Sequence, residues 1–154
     1  MAENPRLSDV PKPALYLGLA GLIPFLATAV GVWFAGFPAK LDAVNIQLAY
    51  GAVILSFLGA VPWGLAMAGG DKAMTYSRLG WSVMPALVGW GALLLHPVLG
   101  LLVMILGFAG VFFGDLRSIA AGRAPAWYRT LRKPLTLIVI VTLANSLGAL
   151  FVQV

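Results

Sequence analysis

The chain has no cysteine, a single histidine and few charges: ten basic and five acidic side chains among 154 residues. Without cysteine there is no disulfide framework. With His96 alone, neither a histidine or cysteine cluster for zinc or iron nor a pair of axial haem histidines can be assembled within one chain. A serine hydrolase needs a base beside its nucleophile, and none is evident. The glycines form no phosphate-binding loop between a strand and a helix. The expectation is therefore no catalytic residue, no cofactor and no metal. The scarcity of charge excludes more: a water-soluble domain carries roughly a quarter charged residues, and this chain has 10%.

What the sequence has instead is apolar length, with 61% hydrophobic residues. A helix crossing a bilayer takes about 20 of them. Charged residues divide the chain into five long apolar stretches, at approximately 14–37, 46–69, 79–95, 97–114 and 134–153. Pro38, Lys40, Asp42 and Asn45 mark a polar turn between the first two, and Gly70, Asp71 and Lys72 end the second. His96-Pro97 makes a tight turn between the third and fourth. Residues 115–133 read as a basic interfacial loop, with Pro134 opening the last span. The fold class is all-α: one polytopic membrane domain, a bundle of five transmembrane helices.

Orientation follows from the basic residues, because short loops rich in Lys and Arg stay cytoplasmic. Arg6, Lys12, Lys72, Arg78, Arg117, Arg123, Arg129, Arg132 and Lys133 fall on one side and Lys40 on the other. That puts the N-terminus in the cytoplasm and the C-terminus outside, and it reads the net charge of +5 as topology and attraction to anionic lipid, with no nucleic-acid partner. Ala27-Thr28-Ala29 resembles a signal-peptidase site, but the apolar run continues to Phe37, which favours a retained span.

Lipid tails are as apolar as leucine, so small residues that let backbones approach should mark helix contacts. Ala52, Ser56, Ala60, Gly64 and Ala68 recur every four residues on the second span, a candidate packing ridge within the monomer. Gly100, Gly107, Gly110 and Gly114 suggest a smooth face on the fourth span, and Gly18 and Gly21 a shorter one on the first. Pro24, Pro62 and Pro85 each remove a backbone hydrogen bond inside a span, and the freed carbonyls need partners from neighbouring helices, hydroxyls or water. No carboxylate, Lys or Arg is expected within the apolar part of a span, which argues against a proton-coupled transporter. Trp63 and Asn145 are the candidate intramembrane polar or pocket residues. In the basic loop Asp115, Arg117, Trp127, Tyr128, Arg129, Arg132 and Lys133 form a candidate contact face for lipid headgroups or a partner protein.

Three stretches carry a resemblance. Ser56-Phe57-Leu58-Gly59-Ala60-Val61-Pro62-Trp63-Gly64, and Pro125-Ala126-Trp127-Tyr128-Arg129-Thr130-Leu131-Arg132 with Leu135-Thr136, together with Gly21 to Phe25, resemble the small membrane proteins related to mitochondrial transmembrane protein 69. That group is a domain-of-unknown-function family of proteobacteria and mitochondria. Its members often have histidine before the Trp-Gly pair, where this chain has Pro62. The resemblance implies five helices and an inner membrane, here the bacterial one, and no established activity. The expectation for function is a non-enzymatic accessory or assembly component that packs against a membrane partner or another copy. The alternative is a small transporter or binder of a lipid, quinone or other amphiphile within the kinked bundle.

Overall fold

The computed structural model describes residues 6–152. All regular structure among them is helical: a 3-10 turn at Leu7–Asp9, then α1 (Lys12–Ala20), α2 (Ile23–Phe34), α3 (Ala39–Ala68), a second 3-10 turn at Asp71–Ala73, α4 (Tyr76–Leu93), α5 (Pro97–Ala120) and α6 (Ala126–Ala149). Four stretches are long and apolar enough to cross a membrane: Lys12–Phe34, Ala39–Ala68, Pro97–Ala120 and Ala126–Ala149. Helix α4 has 18 residues and would reach about 27 Å. Ser77, Arg78 and Ser82 near its start leave it less apolar than the other four.

The first span is two helices, because Pro24 has no N–H to continue the ladder across Gly21 and Leu22. The carbonyls around this break find partners, as lipid requires. Tyr50 Oη donates to the Gly21 carbonyl at 3.1 Å, Gln47 Nε2 to the Phe25 carbonyl at 3.2 Å, and Thr28 Oγ1 to the Pro24 carbonyl at 2.7 Å. Tyr50 thus points into the bundle, its ring edge-on to Phe25 at 5.1 Å.

Three boundaries differ from the sequence expectation. The polar segment after Pro38 is the first turn of α3, and Lys40 is buried there at 3% exposure. Its Nζ donates to the carbonyls of Ala149 at 3.2 Å and Val152 at 3.3 Å. A cation at the negative end of α6 is favourable, which offsets the burial of the ammonium. Residues 115–133 are mostly helix: α5 runs on to Ala120 and α6 begins at Ala126, so only residues 121–125 connect them. Pro134 is therefore interior to α6, a position that costs one ladder bond and is tolerated in packed membrane helices. The expected end of the last span, at residue 153, lies outside the described residues. His96 and Pro97 do form the expected turn, with His96 at the position before α5 and Pro97 as its first residue.

Backbones approach closely where glycines meet neighbours. A Cβ on Gly89 of α4 would lie 3.0 Å from Ala52 Cα of α3, and Gly59 of α3 faces the Ser82 carbonyl and the Pro85 ring of α4. On α5, Gly100 sits against Ala92 and Leu48, Gly107 against Leu55 and Val88, and Gly114 against the Trp81 indole; Gly110 meets nothing. The glycine face expected on the fourth span is thus real except at Gly110. The ridge on α3 is different: Ala52 is buried, whereas Ser56, Ala60, Gly64 and Ala68 are exposed and Gly64 has no neighbour. The packing face of α3 carries Val44, Leu48, Gly51, Leu55 and Leu58 instead. Larger side chains fill the bundle core, and the small-residue row is turned outward.

Candidate functional site

Besides Lys40, the charge-free interior expected from sequence is corrected at a second place. Asp115, in the penultimate turn of α5, and Arg132, in the second turn of α6, are buried at 4% and 5% exposure. Arg132 Nε donates to Asp115 Oδ2 at 2.8 Å. The connection that brings them together is closed by glycine. Gly122 adopts φ +67°, its N–H meets the Ile119 carbonyl at 2.9 Å, and the Arg123 N–H meets the Ser118 carbonyl at 2.9 Å. This Schellman turn ends α5 and sends the chain back along it as α6.

One guanidinium bond to Asp115 leaves other donors to satisfy. Arg132 Nη2, Tyr128 Oη and Thr136 Oγ1 are all buried and find no hydrogen-bond partner among the described residues. Four-residue spacing places Tyr128, Arg132 and Thr136 on one face of α6. All three line a cavity of about 360 Å³, whose remaining walls are almost wholly apolar. Leu17 and Gly18 of α1, Phe25 of α2, Phe57 and Val61 of α3 and Phe108 of α5 line the rest of it, and it opens to the surface of the bundle beside the exposed Leu17 and Phe57. At liquid density, where a water takes about 30 Å³, the space would hold roughly a dozen heavy atoms. A mostly apolar pocket with a few convergent polar groups is the usual form of a small-molecule site. The Asp115–Arg132 pair is neutral overall, so an added anion would bring an uncompensated charge into a low dielectric, whereas a neutral oxygen acceptor would satisfy the donors.

Residues 10–148 match the family described as "Protein of unknown function (DUF3429)". The chain belongs to this family. It is 39% identical over 146 residues to "Transmembrane protein 69" of Xenopus tropicalis and 33% identical over 144 residues to that of Mus musculus. Each alignment covers 92% of this chain, but 56% of the frog protein and 58% of the mouse protein. The chain thus spans a little over half the length of these relatives. No solved structure matches it.

The sequence-predicted residues separate in this DUF3429 chain into two groups. Asp115 and Arg132 are buried together, and Trp127 and Tyr128 are half-buried at the cavity, their rings edge-on at 6.0 Å. Arg117, Arg129 and Lys133 are exposed. These seven therefore form no single headgroup face. Trp63 and Asn145 are not brought together either. Trp63 lies exposed near the end of α3, while Asn145, near the end of α6, accepts from Trp33 Nε1 at 3.1 Å beside a groove between α2 and α6. Thr136 and Phe25 were not among the predicted site residues. The row Tyr128, Arg132, Thr136 is a four-residue repeat that shares a face only because this segment is helix, whereas its polarity suggests a loop.

Proposed function

We propose that this is a non-enzymatic protein of the bacterial inner membrane that binds a neutral, carbonyl-bearing amphiphile, a quinone or a lipid ester, in the cavity between α1, α2, α3, α5 and α6. The observation that carries this reading is the row Tyr128, Arg132 and Thr136 on α6, residues that line an apolar cavity and each keep a buried polar atom without a partner. A carbonyl oxygen would accept from Arg132 Nη2 and from a hydroxyl of Tyr128 or Thr136, while its apolar body would lie against Phe25, Phe57 and Phe108. The orientation that goes with it is N-terminus inside and C-terminus outside, supported by the nine-to-one division of basic residues, which also favours anionic lipid around Arg129 and Lys133.

The test is purification from the native membrane in a gentle detergent, with extraction and mass spectrometry of bound small molecules. An enriched quinone or lipid in the wild-type protein, falling about tenfold in Val61→Trp, which fills the cavity, and in Thr136→Val, which removes a donor, would support the reading. Equal retention by both variants would sink it. A second reading, the accessory or assembly component, is favoured by the outward row Ser56, Ala60, Gly64 and Ala68, against which a helix of a membrane partner could pack closely. It predicts a stoichiometric protein in the same purification, lost in Gly64→Leu.

A further inference from the structure

A second concavity, of about 360 Å³, lies between the end of α3, the start of α4 and the end of α5, and it differs in chemistry from the apolar cavity. Arg78, Arg117 and Arg123 converge on it from α4, α5 and the turn after α5, with Ser77, Ser118 and Trp81 between them. Among the described residues no carboxylate lines it, and none lies within ion-pair distance of the three guanidiniums. The nearby carboxylate of Asp115 is engaged by Arg132. Three like charges around one concavity repel one another, weakly where Arg117 and Arg123 are exposed to solvent, and an anion between them would relieve that repulsion.

The positions are fixed by local structure. Arg78 Nη1 donates to the Ala73 carbonyl at 3.1 Å, which anchors one edge of its guanidinium and leaves the other edge for a ligand. Arg123 is held by its backbone N–H on the Ser118 carbonyl in the turn that Gly122 makes possible. The Trp81 indole is seated against Gly114, where a Cβ would come 2.8 Å from its Nε1, and no described residue accepts its N–H. Residues that carry guanidinium, indole and hydroxyl donors therefore line the groove. Guanidiniums are planar forks suited to two oxygens of one anion, and an arrangement of several matches a tetrahedral oxyanion better than a planar carboxylate.

We propose that this groove is a phosphate site, taking either the headgroup phosphate of an anionic lipid or a soluble phosphate, independently of whether the apolar cavity holds an amphiphile. A general excess of basic residues on one side accounts for the presence of the arginines and would spread them; it does not account for their convergence around one concavity.

The experiment uses the full chain in phosphatidylcholine nanodiscs with and without 20% phosphatidylglycerol, about that fraction sufficing to make the surface anionic. Bound phosphatidylglycerol is counted by native mass spectrometry, for the wild type, for Arg78→Gln/Arg117→Gln/Arg123→Gln, and for Lys12→Gln/Lys72→Gln/Lys133→Gln, which removes the same charge elsewhere. Retention should fall about tenfold in the arginine variant and less than about twofold in the lysine variant. In a separate arm, inorganic phosphate is titrated against thermal melting in pure phosphatidylcholine. Protection that the arginine variant loses identifies soluble phosphate as an occupant; lipid retention without such protection identifies the headgroup. Equal losses in the two triple variants, or no arginine-dependent effect in either arm while both variants melt like the wild type, would overturn the proposal.

Discussion

The Asp115–Arg132 pair offers the most decisive test of the bundle's energetics. Both side chains are at most 6% exposed and joined by one hydrogen bond of 2.8 Å. Replacing Arg132 by Met leaves a buried carboxylate without its counter-charge, and replacing Asp115 by Leu leaves a buried guanidinium without one. Breaking such a pair from either side costs about 3–5 kcal/mol, because the remaining ion keeps its desolvation penalty and loses the compensating attraction. Replacing both at once removes both penalties, and apolar substitutes of similar size are about neutral or stabilising. The cycle should therefore show two single variants each melting on the order of 10 °C below the wild type, and a double variant close to it. The assay is thermal unfolding in a mild detergent, followed by near-ultraviolet circular dichroism. Single variants losing under about 1 kcal/mol would place the pair in a solvated, screened setting. Losses that add in the double variant would show that the two side chains contribute through separate contacts.

Other perturbations test separate parts of the bundle. Lys40→Met removes the ammonium from the carbonyls of Ala149 and Val152 and should cost about 1.5–3 kcal/mol, with faster hydrogen exchange confined to the last turn of α6. Gly89→Val pushes a side chain into Ala52 and should destabilise by about 1–3 kcal/mol, while Gly64→Ala, which meets nothing, should stay within about 0.5 kcal/mol of the wild type in the same melts. Thr136→Val replaces a buried, unpartnered hydroxyl by a methyl and should leave the stability of the ligand-free protein unchanged or raise it by about 1 kcal/mol, despite weakening amphiphile binding. A marked loss of stability instead would mean that the hydroxyl makes a structural hydrogen bond.

Hydropathy and helix-breaking residues act over a few neighbouring positions, so the sequence by itself determined the all-helical architecture, the apolar stretches behind four spans and the turn at His96-Pro97. The glycine face at Gly100, Gly107 and Gly114 was legible for the same reason, since its spacing is a property of one helix. Pro24 announced a break, and the need to satisfy freed carbonyls followed from lipid chemistry alone. Which side chains reach the break did not: Tyr50 and Gln47, bonded to the carbonyls of Gly21 and Phe25, come from another helix, and nothing local to α2 specifies them. Polarity misled where it was compensated at a distance. Lys40 looked like a turn residue because its carbonyl partners lie more than a hundred residues away, and Asp115 to Lys133 looked like a loop because the charges that neutralise each other sit on different helices. The row from Ala52 to Ala68 shows the converse. A sequence can state that a helix face is small and smooth, but only the tertiary structure decides what covers it, because the choice depends on which of several apolar faces buries more volume against the neighbours that the fold supplies.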